Sequence, residues 1–227
     1  MKIKVGVIFG GESVEHEVSI ISALQAISNI NKDKYDVVPI YISKDKVWYT
    51  GKNLSDISIY KDLESVKKNS KSVSLCKIDN EYCLIQTKGM MNKVVDKIDI
   101  AFPIVHGQNV EDGTLAGYLE TVGVPYVGPN VLGASLGQDK VVMKQVFEST
   151  LIPVVDYVWF YEIDYMNDEE KYLKDIKKMG YPVVVKPASL GSSVGITFVK
   201  DESKIKEAIS DAINYDDKIV VEKAIDN

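Results

Sequence analysis

The chain has 227 residues, 45% of them apolar, with 27 Lys and Arg against 33 Asp and Glu, a formal charge of −6. That apolar share supports one large or two modest cores, and the acidic balance with scattered lysines argues against a nucleic-acid-binding face. No apolar run reaches bilayer-spanning length, and residues 1–9 lack a signal-peptide core and cleavage site, so a soluble, cytoplasmic protein with no membrane partner is expected.

Lys4 to Phe9 is a short apolar run ending in Gly10-Gly11, the pattern of a buried parallel strand. Val14, Val18, Ile21, Leu24 and Ile27 then recur at three- and four-residue steps and predict an amphipathic helix. Asp36 to Ile42 reads as a second strand. A lysine-rich stretch follows, with an edge hairpin expected around Val73–Leu75 and Tyr82–Gln86. Cys76 and Cys83 fall there, the only two cysteines. They lack metal-type spacing and are expected as reduced thiols, pairing across the hairpin being the alternative. Ile98 to Val105 predicts a third buried strand. Leu115, Leu119 and Val122 mark a helix stopped by Gly123, and Val124 to Val127 reads as a further strand.

This alternation implies a doubly wound α/β layer, whose ligands bind beyond the carboxyl ends of the strands. Gly10, Gly11 and His106 all fall at such ends. Gly128-Pro129-Asn130 opens a connection that Gly133 and Gly137 keep loose, and the domain boundary is placed near residue 135. Beyond it, Asp139 caps a helix reaching about Ser149. Strand Val154–Phe160, helix Glu169–Met179, strands Pro182–Lys186 and Val194–Val199, helix Glu202–Ala212 and strand Lys218–Glu222 complete a mixed α+β unit. The expected architecture is thus a Rossmann-like domain over 1–135 and a second unit over 136–227.

The segment Lys186-Pro-Ala-Ser-Leu-Gly-Ser-Ser-Val-Gly195 joins two apolar runs by a glycine–serine turn. Successive amide donors in such a turn form an anion-binding concavity, and Lys186 adds a fixed charge for phosphates. It is not a Walker loop, which places Gly-Lys-Ser/Thr at a helix start. Ser192 and Ser193 are otherwise ordinary turn residues. Lys140 at a helix start opposes the helix dipole, so another interaction is expected to hold it, a second phosphate contact among the options. Glu222 and Lys223 close the last strand and could hydrogen-bond a base, although a solvated strand end is the plainer local reading. Glu15 begins the first helix, where the dipole favours an acid; it serves as a cap or as an anion for a substrate ammonium. Its neighbour His16 reads as a surface residue of the first turn. His106 ends a buried strand and could contact a carboxylate or shuttle a proton. The first glycine turn is not Gly-x-Gly-x-x-Gly, which argues against NAD.

Taken together, Phe9-Gly-Gly-Glu-Ser-Val-Glu-His-Glu-Val-Ser19, Pro103-Ile-Val-His-Gly-Gln-Asn-Val-Glu-Asp-Gly-Thr-Leu-Ala-Gly117, Pro125-Tyr-Val-Gly128, Asp139-Lys140, Lys186–Gly195 and Val221-Glu-Lys223 closely resemble the D-alanine–D-alanine ligases of the ATP-grasp superfamily. The segments stand in family order across essentially the whole chain. The resemblance implies an ATP-dependent reaction for peptidoglycan precursor synthesis. One D-alanine carboxylate is phosphorylated, and the amine of a second attacks the acylphosphate. Glu15 would bind the ammonium of the first D-alanine. Ser192 would hydrogen-bond Glu15, the two forming the catalytic pair, and His106 would contact the first substrate's carboxylate. Lys140 and Lys186 would hold ATP phosphates, Ser192 and Ser193 would cover them, and Glu222 with Lys223 would recognise adenine.

The resemblance also implies a homodimer and Mg2+ (or Mn2+). The acidic and asparagine metal ligands, a transition-state arginine and a lid belong to a family segment without a match here. The chain is therefore read as the N-terminal domain plus the central ATP-binding subdomain, inactive alone. Val110 stands where the family usually has glycine, and Leu190 where it is often polar. The alternatives are a ligase joining D-alanine to D-serine or D-lactate, and a non-catalytic nucleotide-binding chain.

Overall fold

The computed structural model describes residues 1–89 and 93–225. The chain divides into two compact units, Met1–Ala134 and Ser135–Asn227.

Unit one is built on a seven-stranded sheet. Strand β1 (Ile3–Gly10) runs parallel to β2 (Tyr35–Ile42) on one side, and Val5–Gly10 pairs in parallel with β7 (Ile100–Val105) on the other. From β2 the sheet continues antiparallel through β3 (Trp48–Thr50), β4 (Lys71–Ile78), β5 (Glu81–Gln86) and β6 (Val94–Ile98). The order is β6-β5-β4-β3-β2-β1-β7. The doubly wound pattern thus holds for the three parallel strands, and a meander extends them. The hairpin β4–β5 is not at the edge, because β6 pairs outside it. The expected strand over Ile98–Val105 is two strands broken at Asp99, whose carboxylate accepts the Lys4 backbone N–H at 2.7 Å.

Helices α1 (His16–Asn29) and α2 (Leu63–Asn69) belong to one face, and α3 (Thr114–Val122) to the other. Ile20, Ala23 and Ile27 of α1 join Val5, Val7, Phe9 and Tyr41 in one core. Leu115 and Leu119 of α3 join Ile8, Ile40 and Leu84 in the second. Burying such side chains contributes ~1.5–3 kcal/mol each. The periodic set expected to face the core of α1 is largely outside: Val14, Val18 and Ile21 are exposed. The buried stripe is His16, Ser19, Ile20, Ala23 and Ile27. Ser19 belongs there because its hydroxyl accepts the Gly10 N–H at 2.8 Å and donates to the Ile104 carbonyl at 2.6 Å. A short polar side chain thus satisfies strand ends that an aliphatic one would leave unpaired.

Gly123 caps α3 in the left-handed conformation at φ +80°. The strand expected at Val124–Val127 is a single bridge between Ala101 and Tyr126. The expected loose connection is instead helix α4 (Val131–Gln138), with the Asn130 side chain accepting the Gly133 N–H at 2.9 Å.

Unit two opens with α5 (Lys140–Ser149), whose N-cap Asp139 accepts the N–H groups of Val141 and Val142 at 2.9 and 3.0 Å. Then come β8 (Tyr157–Tyr161), α6 (Glu162–Asn167), α7 (Glu169–Met179), β9 (Val183–Pro187), β10 (Thr197–Val199), α8 (Ile205–Ile213) and β11 (Lys218–Lys223). The sheet, in order β10-β9-β11-β8, is antiparallel throughout. Ile176, Ile205 and Ile209 pack with Val183, Val185, Ile219 and Val221. On the opposite face Val141 meets Ala188 and Val220. Lys186 and Glu222 alternate with the core residues of β9 and β11, which places them on the α5 side of the sheet.

Candidate active site in the two units

In unit one the carboxyl ends of β1 and β7 are neighbours, with Gly10 opposite Val105. The β1–α1 turn is held by Ser13, whose hydroxyl accepts the Glu15 N–H at 3.0 Å and donates to the His106 carbonyl at 2.7 Å. Glu15 is the N-cap position of α1, 8% exposed, yet its side chain makes no cap hydrogen bond to that helix. Its carboxylate lies against Gly107 instead: a Cβ there would be 3.0 Å from Oε2. The fold therefore brings Glu15 beside the His106 loop. The His106 ring lies with Nδ1 3.6 Å from Glu111 Oε1 and Nε2 3.3 Å from Ser22 Oγ. Glu111 Oε2 also accepts the Gly107 N–H at 2.6 Å. A buried carboxylate at this crevice favours a cationic ligand such as an ammonium.

His16 is not a surface residue. It is fully buried, with Nδ1 2.7 Å from the Gly11 carbonyl and Nε2 3.0 Å from the Tyr41 hydroxyl. The carbonyl can only accept, so Nδ1 carries the proton and Tyr41 donates to Nε2. Burial lowers its pKa below the usual 6.5. The histidine braces the glycine turn from behind.

In unit two, two lysines hold one carboxylate, and a third lies near them. Glu222, 8% exposed, holds Lys144 Nζ at 3.2 Å on Oε1 and Lys186 Nζ on Oε2. Burial alone would raise its pKa, but the hydrogen bond and charge of Lys186, with those of Lys144, outweigh it and hold it below the usual 4.5. The plain reading of Glu222 as a solvated strand end is thus overturned. Its carboxylate is engaged as the counter-charge of Lys144 and Lys186.

Lys140 is explained by the glycine–serine turn itself: Nζ donates to the carbonyls of Ala188, at 3.2 Å, and Leu190. Burial, then the charge of Lys186, lowers its pKa from 10.5. Ser192, Ser193 and Gly195 have φ of +51°, +60° and +67°. Such left-handed residues in succession turn amide groups toward one concavity. The base of the turn is tied down where Asp216 accepts the Ser189 N–H at 2.7 Å. Lys223 donates to the carbonyls of Gly180 and Tyr181 at 3.2 and 3.0 Å. A recess of about 320 Å3 is lined by Lys186, Glu222 and Lys223 together with Val184, Phe198 and Ile225.

Lys144 was not singled out from the sequence, although it stands one helical turn after Lys140. Phe198, exposed on β10, was missed too; an aromatic on the outward side of a strand was its only signal. Lys218, which pairs with the cap residue Asp139 at 2.7 Å, gave none.

Residues 4–129 match the family model described as the D-ala D-ala ligase N-terminus, and residues 146–227 match the D-ala D-ala ligase C-terminus model. The chain belongs to the D-alanine–D-alanine ligase family. A D-alanine–D-alanine ligase of Thermosipho melanesiensis is 40% identical over 223 residues, covering 98% of this chain and 60% of that relative. The crystal structure of the VanG D-Ala:D-Ser ligase from Enterococcus faecalis superposes with a TM-score of 0.82 at 32% identity, covering all of this chain and 64% of that one. A Bacillus anthracis D-alanine–D-alanine ligase complexed with ATP gives 0.66 at 28% identity, covering 99% and 60%. The chain therefore spans about 60% of the length of these relatives.

Both departures from the ligase family pattern have a structural place. Val110 is buried in the core that includes Leu115, and its Cγ1 would be 2.9 Å from a Cβ on Gly11. Leu190 is buried, and its carbonyl is a Lys140 acceptor. Among the described residues no cluster of three or more His, Cys, Asp or Glu side chains is placed to hold a metal ion, and no helix is long and apolar enough to cross a membrane.

Proposed function

We propose that the protein to which this sequence belongs joins two D-amino acids, D-alanine first, in an ATP-dependent reaction of cell-wall precursor synthesis. The observation that carries the nucleotide part is charge. Lys144 and Lys186 pair with Glu222, and Lys140 lies near them with Asp216 and Asp139 in reach, a cluster of lysines beside an amide-rich turn. An anion there offsets the burial and, after it, the Lys186 charge that depress Lys140. Lys140 and Lys186 hold phosphates, the Ser192–Ser193 turn covers them, and the recess of Phe198, Lys223 and Ile225 receives the base by apolar contact and backbone donors. ATP in this place supplies the phosphoryl group that activates a substrate carboxylate. Glu15 holds the substrate ammonium, and His106 stands by its carboxylate. No step is assigned to a metal. The 227-residue chain alone does not turn over, and its dimerisation and cytoplasmic location are proposals of the same kind.

Titration calorimetry of this chain with ATP tests the nucleotide part. Binding with proton uptake below the ordinary lysine pKa of 10.5, lost in Lys140→Ala and Lys186→Ala, supports it; no heat in the parent chain rejects it. D-alanine-dependent phosphate release from the longer protein tests the reaction. The relatives named D-alanine–D-alanine ligase, 40% identical, favour D-alanine as the second substrate; the VanG likeness keeps D-serine as the alternative, and comparing D-alanine with D-serine as acceptor decides between them.

A further inference from the structure

A second cavity, of about 490 Å3, lies in unit one and is lined by none of the residues assigned above to substrate or nucleotide. Its wall is made by Ile42, Trp48, Val73, Val110, Leu115 and Tyr118. Trp48 and Tyr118 meet edge to face, with ring centroids 5.4 Å apart. Three hydroxyls of the wall already have partners. The Tyr118 hydroxyl donates to the Leu75 carbonyl at 2.5 Å, and the hydroxyls of Ser72 and Thr87 pair at 2.6 Å.

The rim carries a polar strap. Glu12 Oε2 receives Lys46 Nζ at 2.6 Å and Asn109 Nδ2 at 3.4 Å. The strap links three loops, those following β1, β2 and β7. Beneath it the surface is apolar and aromatic.

Protein interiors are close-packed, and a void forfeits dispersion contacts along its whole lining. Water fills a void well only where it finds two to four polar partners, and the side made by Ile42, Val73, Val110 and Leu115 offers none from its side chains. The volume falls within the ~300–1,000 Å3 of small-molecule sites. The charged groups of the rim, Lys46 and Glu12, already pair with each other, so an ionised ligand would have to compete with that pair for a partner. A flat ring gains offset or edge contacts with Trp48 and Tyr118.

We propose that this cavity is a binding site for a neutral, flat aromatic molecule of one or two rings, seated against Trp48 and Tyr118 beneath the Lys46–Glu12–Asn109 strap. The occupant also touches Gly11 and Glu12, four and three residues before Glu15, so the site adjoins the turn that carries the proposed substrate anion.

The test uses indole as the probe and methyl and amide NMR of the 227-residue chain. The expected result is saturable shifts of the Ile42, Val73, Val110 and Leu115 methyls, the Trp48 indole and the Gly11 and Glu12 amides, with Kd on the order of 1 mM. Thr114→Trp and Thr87→Trp place a bulky ring from exposed positions on the cavity wall, and each is expected to weaken binding at least tenfold. Absent or non-saturating shifts in the parent chain overturn the proposal. So does unchanged affinity in whichever variants retain the parent fold. The measurement is independent of ATP or D-alanine binding, so its failure leaves the proposed reaction untouched.

Discussion

Lys144 Nζ lies 3.2 Å from Glu222 Oε1, and both side chains are almost wholly buried. The pair sits on the α5 side of the unit-two sheet, with the Lys144 ammonium also 5.2 Å from the centre of the Tyr157 ring. It converts Glu222 from a strand-end acid into the counter-ion that keeps Lys186 at the base of the glycine–serine turn.

Lys144→Met removes one of the two ammonium partners of a buried carboxylate. Losing the sole partner of such a charge costs about 3–5 kcal/mol. Lys186 remains here, so an expected loss of about 2 kcal/mol follows from that range. Urea unfolding of unit two measures it, and an unchanged midpoint contradicts the pairing.

Acid stability follows from the same site. Glu222 has a folded pKa below the ordinary 4.5, so the unfolded chain binds its proton first. The stabilisation is complete above that ordinary value and is lost as pH falls through the lower, folded one. Glu222→Gln is expected to flatten the pH dependence of unfolding below 4.5. Part of the slope persists, because Asp139, held low by Lys218 and two backbone N–H groups against the upward push of burial, titrates in the same direction. An identical slope in the variant would falsify the assignment.

His16→Ala strips the buried Gly11 carbonyl and Tyr41 hydroxyl of partners and opens a cavity, a loss of about 2–4 kcal/mol. The folded His16 resists protonation, its pKa lying below 6.5. Stability in the parent therefore falls as pH drops from 6.5 toward the folded value. The Ala variant is expected to lose that segment of the pH curve, which thermal unfolding between pH 7 and 5 would reveal.

Gly11→Ala meets two obstacles, a φ of +101° and the Val110 side chain 2.9 Å from the new Cβ. Left-handed strain costs about 1–2 kcal/mol, and the clash adds to it. Val110→Ala in the same chain is expected to recover the clash but not the strain. A double-mutant cycle showing strict additivity would contradict the contact.

Much of this molecule was legible in its sequence. The apolar runs at Lys4–Phe9 and Asp36–Ile42 had no other way to be buried than as central strands, and Asp139 and Gly123 announced helix ends through local hydrogen bonding. The glycine–serine turn after Lys186 could be read as an anion cradle because its backbone chemistry is local. What the sequence left open was the choice of partner across space. Val14, Val18 and Ile21 carry the helical period but face out, since α1 packs through Ser19 and Ala23 against strand ends that need a hydroxyl. His16 looked like a surface residue until Tyr41, 25 positions on, supplied its second hydrogen bond. Glu222 looked solvated until β9 and α5 brought Lys186 and Lys144 to it. Local propensity and turn chemistry are properties of neighbours in the chain. Burial and charge pairing depend on which strands and helices come together, and only the tertiary structure decides that.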